Sequence, residues 1–205
     1  MPNTSSALIN SLRHQPLLVV LRAEQPLTLE PTIARLSEVG VRHIELAWSS
    51  HPSWVNQCRE LSQSFTGLHV GAASITHLEA LDDAAAAELR FAVSPVLKPV
   101  LLQRAAELRL TLVPGVMTPS EVVQASDLGC TMVKLFPAAS LGSGYWQRLQ
   151  GPLAPLPFCI AAGGLGPADL VPWLAAGVDA VAIGGALKSD QAWRDLAAWI
   201  ATQGR

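Results

Sequence analysis

Charge, cysteine and long apolar runs are all scarce in this chain of 205 residues. Only 15% of the residues are charged, and the net charge is −2. With no basic run and no alternation of basic with aromatic residues, nucleic acid is excluded as an expected partner. The three cysteines (Cys58, Cys130 and Cys159) are odd in number and widely spaced. They form neither a disulfide framework nor a zinc site, and they point to a reducing compartment. His43, His51, His69 and His77 lack metal-ligand spacing with a carboxylate, so no metal site is expected. No stretch of about 18 apolar residues occurs, which argues against a membrane span. Met1 to Ser6 lacks the basic start and apolar core of a signal peptide. A soluble cytoplasmic protein is the expectation.

What is present is a repeating alternation. Half of the residues are hydrophobic, and the length suits a single domain over 1–205. A helix is expected near Ser5 to His14, within an N-terminal segment 1–15. Strands are then expected at Leu17–Arg22, His43–Ala47, His69–Ala73, Arg90–Val93, Leu110–Val113, Met132–Phe136, Phe158–Ala161 and Ala180–Ile183. Amphipathic stretches such as Thr32–Val39, Val100–Leu108 and Leu170–Ala175 separate them. Near-continuous apolar strands alternating with helices indicate parallel pairing buried on both faces. Eight such units predict an α/β fold, a closed (β/α)8 TIM barrel over 17–187 followed by a C-terminal helix over 188–205. An open doubly wound sheet is the alternative. Thr118-Pro119-Ser120-Glu121 reads as a helix start with a capping box, and Gly166-Pro167-Ala168-Asp169 as another start.

In such a barrel the site lies at the carboxyl ends of the strands. That rule gathers Arg22, Glu45, Ser74, Pro95, Lys134, Phe136, Gly163-Gly164 and Gly184-Gly185 at one mouth. Lys134 stands alone in Met132-Val133-Lys134-Leu135-Phe136-Pro137. Burial disfavours an ammonium ion, and a neutral lysine amine attacks ketones to form a Schiff base; the structural alternative is a lysine reaching from a strand end to solvent. Glu45, among apolar neighbours, fits a general acid/base tuned by burial, or else a buried ion pair with Arg22 or Lys134. The two diglycines precede helices and allow backbone N–H groups to approach an anion, although glycines also serve tight turns. Trp48 is placed at the mouth. Trp146, Trp173, Trp193, Trp199 and Cys159 are assigned to packing.

These motifs resemble a known family, the 2-keto-3-deoxy-6-phosphogluconate and 4-hydroxy-2-oxoglutarate aldolases. The resemblance runs from about Leu17 to Leu187. It is carried by Gly40-Val41-Arg42-His43-Ile44-Glu45, Val70-Gly71-Ala72, Phe91-Ala92-Val93-Ser94-Pro95, Pro114 to Glu121, and Val133-Lys134-Leu135-Phe136-Pro137-Ala138. It implies a class I aldolase that needs no metal or other cofactor, usually a homotrimer, cleaving a 2-keto-4-hydroxy acid to pyruvate and an aldehyde. By position it makes Lys134 the Schiff-base lysine and Glu45 the general acid/base. Ser74 takes the place of a threonine at the pyruvate carboxylate. Pro95 and Phe136 become wall residues, and Gly163 and Gly164 fall on the phosphate side.

Three positions depart from the family pattern. Ser49 stands where an arginine commonly binds the pyruvate carboxylate, a charge-assisted bond worth about 1.5–3 kcal/mol. Arg22 is the expected substitute. Ala162 and Ala186 stand where the family has a threonine and a serine. Two other readings compete with the aldolase: an oxaloacetate decarboxylase using the same imine, and a barrel that binds a small anion without catalysis.

Overall fold

The computed structural model describes residues 4–185 and 187–203; Ala186 lies outside them. Among the described residues there are nine strands: β1 Leu17–Leu21, β2 His43–Ala47, β3 His69–Ala73, β4 Phe91–Val93, β5 Thr111–Val113, β6 Gly115–Val116, β7 Met132–Leu135, β8 Phe158–Ala162 and β9 Ala180–Gly184. All pairings are parallel, in the order β5-β4-β3-β2-β1-β9-β8-β7-β6.

The two ends of that order are neighbours in the chain, separated only by Pro114. The Ser94 N–H donates to the Val113 carbonyl (2.9 Å) on one side, and the Lys134 N–H donates to the Pro114 carbonyl (2.8 Å) on the other. Segments 111–113 and 115–116 therefore fill one position, and the sheet is a ring of eight. Proline carries no N–H, so the expected fifth strand, Leu110–Val113, starts at Thr111, breaks at Pro114 and resumes where a loop is predicted. No helix among the described residues is long and apolar enough to cross a membrane.

Period-two alternation sorts the strand residues into two layers. Ile44, Leu46, Val133, Leu135, Val181 and Ile183 point outward into the layer shared with the helices. Leu18, Val93, Val113, Met132, Ile160 and Ala182 fill the interior of the ring. Leu8 and Leu12 of α1 (Thr4–His14), one helical turn apart, join that inner cluster and close the amino-terminal end of the barrel. By the same parity His43, Glu45, Gly71 and Lys134 face inward. A Cβ on Gly71 would lie 2.4 Å from the Phe91 ring, so the missing side chain admits that ring beside Glu45, the register partner of Gly71.

His43 anchors the plugged end. A carbonyl only accepts, so Nδ1 donates to the Leu17 carbonyl (3.1 Å). Nε2 then accepts from the Ser11 hydroxyl of α1 (2.7 Å). Burial, reinforced by neighbouring His69, pushes the His43 pKa down from 6.5 to about 4. Between those values the unfolded chain binds more protons than the native one. Stability is therefore full above pH 6.5 and falls towards pH 4, by about 3 kcal/mol from this residue. In urea unfolding between pH 7 and 4, His43→Gln is expected to show a shallower acid decline than the parent, whatever its stability at pH 7.

The predicted helix starts appear with one change. Thr118 Oγ1 accepts from the Glu121 N–H and the Glu121 carboxylate accepts from the Thr118 N–H, completing the capping box of α6 (Pro119–Asp127). Pro167 opens a 3-10 turn, Pro167–Asp169, and the helix Leu170–Ala175 begins after it. Trp146, Trp173, Trp193, Trp199 and Cys159 are buried, as expected of packing residues.

Candidate active site

A cavity of about 440 Å³ opens at the carboxyl ends of the strands. Its wall includes Arg22 after β1, Ser74 after β3, Pro95 after β4, Lys134 of β7 and Phe136 beyond it, Gly163 and Gly164 after β8, and Gly184 and Gly185 at the end of β9. Of the expected site residues, all but Glu45 and Ser49 meet here.

Lys134 is only 6% exposed. Its Nζ lies 5.1 Å from the centroid of the Phe136 ring, within the range in which a ring face favours a cation. The ring is held in turn by the glycine after β8: a Cβ on Gly163 would approach the Phe136 ring to 2.9 Å, and its φ of +98° suits glycine.

Glu45 is fully buried beneath the cavity, and neither carboxyl oxygen has a hydrogen-bond partner. Burial raises its pKa from the ordinary 4.5 to about 7, and the charge of Lys134 pulls the other way. The alternative of a buried ion pair is corrected here. Among the described residues, ion pairs join only Arg59 to Glu88 and Arg104 to Asp82 and Glu107. A carboxyl that is buried, unpaired and titrating near neutrality is costly to keep. Such groups cluster at functional sites.

Arg22 reaches across the mouth and donates from Nη2 to the Ser74 hydroxyl (3.0 Å). Ser74 has a φ of 65°, a left-handed conformation uncommon for a residue with a side chain, and this turn sets the hydroxyl facing β1. Ser49, in contrast, does not line the cavity. β2 ends at Ala47, the chain turns, and the Ser49 hydroxyl donates to the Glu24 carbonyl (2.6 Å). Trp48 also differs from expectation: its Nε1 donates to Asp83 in α4 (Leu78–Ala86; 2.8 Å), and its ring meets His77 edge-on at 4.6 Å.

The apolar wall residues Val20, Ala73, Leu165 and Ala182 escaped the sequence reading. Strand parity marks Val20, Ala73 and Ala182, since they share their faces with Leu18, Gly71 and Ala180. Leu165 follows two left-handed glycines and has no such signal.

Pro95 is positioned by glycine. A Cβ on Gly115 would fall 2.3 Å from the Pro95 carbonyl carbon, and backbone cannot swing aside as a side chain does. Gly115→Ala is expected to lower stability by about 1–3 kcal/mol and to raise KM for the keto acid, as measured by urea unfolding and steady-state kinetics.

Comparison with known proteins agrees with this architecture. A family profile for KDPG and KHG aldolases matches residues 8–200. The 2-dehydro-3-deoxy-phosphogluconate aldolase of Dickeya dadantii is 33% identical over 149 residues, covering 72% of this chain and 68% of the relative. The KHG/KDPG aldolase of Escherichia coli is 32% identical over 161 residues, covering 78% and 73%. Among solved structures, the KDPG aldolase of Legionella pneumophila, with pyruvate captured as a covalent carbinolamine, superposes with a TM-score of 0.79. It has 22% identity and covers 95% of this chain and 96% of that one, a likeness of fold. A 4-hydroxy-2-oxoglutarate/2-dehydro-3-deoxyphosphogluconate aldolase structure gives 0.76 at 26% identity, with 95% and 96% coverage. A match spanning nearly the whole barrel, with named relatives above 30% identity, places the chain in the KDPG and KHG aldolase family, as a carbon–carbon lyase.

Proposed function

We propose that this aldolase cleaves a 2-keto-4-hydroxy acid, such as 2-keto-3-deoxy-6-phosphogluconate or 4-hydroxy-2-oxoglutarate, through a Schiff base on Lys134. The observation that carries the reading is a nearly buried lysine on the cavity wall whose charge reaches an unpaired, fully buried carboxyl titrating near pH 7.

The free-base Nζ adds to the C2 ketone to give a carbinolamine, which loses water to become an iminium ion. Removal of the C4 hydroxyl proton then breaks the C3–C4 bond, and the electron pair neutralises the iminium as an enamine. The aldehyde leaves, C3 takes a proton, and water releases pyruvate from the lysine. Each stage needs one group that both accepts and gives a proton at neutral pH. Glu45 has the matching pKa, and one water extends its reach to the reacting atoms.

Arg22 and Ser74, already hydrogen-bonded to each other, hold the pyruvate carboxylate. Arg22 thereby takes over the role of the arginine that Ser49 replaces. Phe136 and Pro95 wall the methylene, and the two diglycines face the distal end of the substrate. The family resemblance supports a homotrimer acting in the cytoplasm.

The test is to incubate the protein with pyruvate and borohydride and to locate the adduct by mass spectrometry. A reduced pyruvyl group on Lys134, together with aldol turnover, is the expected result. Labelling with loss of carbon dioxide and no aldol turnover would make the protein a decarboxylase. No label at saturating pyruvate would end the imine mechanism.

A further inference from the structure

The strands on either side of Glu45 give its carboxyl no polar company. Val20 of β1 and Gly71 of β3 are its register partners. Val20 brings a branched apolar side chain, and Gly71 brings none. The space that a side chain at Gly71 would fill is taken by the Phe91 ring from β4: a Cβ there would fall well inside van der Waals distance of three ring carbons. Neighbouring strands lie about 4.8 Å apart, so the ring stands one strand spacing from Glu45. Phe91 is buried in the inner cluster with Leu8 and Leu12 of α1 and with Leu18. An apolar column therefore runs from the plugged end of the barrel up to the carboxyl. Phe91 does not line the cavity, so substrate does not touch it.

Few charges surround this carboxyl. Within the strands of the ring, the acidic and basic residues are His43 and Glu45 on β2, His69 on β3 and Lys134 on β7; β1, β4, β5, β6, β8 and β9 carry none. The two histidines are register partners one inward position nearer the plugged end. Burial lowers the pKa of both, so they are neutral at pH 7. Arg22, beyond the end of β1, donates to Ser74 at the mouth. Lys134 does act on Glu45, but it pulls the pKa down. Burial is what holds the carboxyl up, and on the closed side of the site the ring of Phe91 provides it.

We propose that Phe91 is a positioning residue for the reaction: its ring, admitted by Gly71, seals the floor beneath Glu45 against water, so that the carboxyl exchanges protons with the cavity side. An apolar wall disfavours the carboxylate and spares the neutral acid. Were the ring removed, the two unpartnered oxygens of Glu45 would offer an entering water the polar partners it needs. The ring thereby keeps both the acid and the base form populated near neutral pH, as a two-way proton relay requires. The catalytic role rests on Glu45 as the relay proposed above; the seal does not.

The test compares the parent with Phe91→Ala, Phe91→Leu and Phe91→Met, by carboxyl carbon NMR of Glu45 and by the pH dependence of kcat/KM in aldol cleavage. In Phe91→Ala the titration of Glu45 and the kinetic inflection near pH 7 should both move down, to about pH 6. KM for the keto acid should stay within about twofold of the parent. Phe91→Leu should move both in the same direction by less, and it decides the matter where Phe91→Ala does not fold. Phe91→Met, unbranched and able to fill the same gap, should keep both close to the parent. A titration unmoved in Phe91→Ala and Phe91→Leu, with stability alone reduced, would make the ring ordinary packing and overturn the assignment. A fall in Phe91→Met as large as in Phe91→Ala would overturn it as well. A carboxyl titration that moves while the kinetic inflection stays would support the seal and remove Glu45 from proton transfer.

Discussion

Lys134→Ala is expected to lower aldol cleavage by on the order of 10⁴-fold or more and to abolish borohydride labelling by pyruvate, while the protein stays folded. On the proposed imine mechanism the rate effect is large because, among the described residues lining the cavity, Lys134 is the one lysine, and removing a covalent nucleophile deletes the pathway. Folding is expected to be spared because Lys134, only 6% exposed, makes no ion pair among the described residues, so its removal breaks none. A further consequence checks the coupling. The Lys134 charge draws the Glu45 pKa down against burial, so in Lys134→Ala the carboxyl should titrate higher than about 7. Carboxyl carbon NMR would follow that titration. More than about 1% residual activity in Lys134→Ala would remove the lysine from the mechanism.

Glu45→Gln separates proton transfer from binding. Its side chain is nearly isosteric and sits where neither oxygen has a partner. Turnover should fall about 10²- to 10⁴-fold, the usual worth of a positioned acid/base, and the pH dependence near 7 should vanish. Pyruvate should still bind and be trapped on Lys134 once equilibrium is reached. Stability should move the other way. With a native pKa of about 7 against an ordinary 4.5, the folded protein binds more protons between those values. The parent therefore loses stability as pH rises through that window, approaching about 3 kcal/mol above pH 8. Glutamine carries no charge and escapes the loss, so urea unfolding should show Glu45→Gln gaining on the parent at pH 8 but not at pH 5. This slope opposes that of His43, one inward position earlier on the same strand. A parent-like rate in Glu45→Gln would take the proton relay away from this carboxyl.

Much of this was visible in the sequence wherever strand parity governs. Lys134 and Glu45 lie inside regular strands, so alternation alone aims them inward. Parity fails one step past a strand end. Ser49 is an even count from Glu45, yet β2 has stopped at Ala47 and the hydroxyl turns out to Glu24. Trp48 is captured by Asp83, a partner 35 residues away that no local pattern announces. Arg22 and Ser74 come together because Ser74 adopts a left-handed turn that its type does not require. The split at Pro114 was readable in principle from the missing N–H. What sequence could not show was the isolation of the Glu45 carboxyl, which depends on every neighbour at once.

The ring is joined by its first and last strands: β1 pairs with β9, Leu17 against Val181 and Val20 against Gly184. Until the ribosome has delivered β9, β1 therefore waits with one edge unpaired, exposed to wrong pairing in the way unfinished sheets are. Arg22 stands on one side of that seam and Gly184 and Gly185 on the other. A nascent chain cannot close the ring before Ala180–Gly184 arrives, so the site cannot assemble while that strand is still unmade.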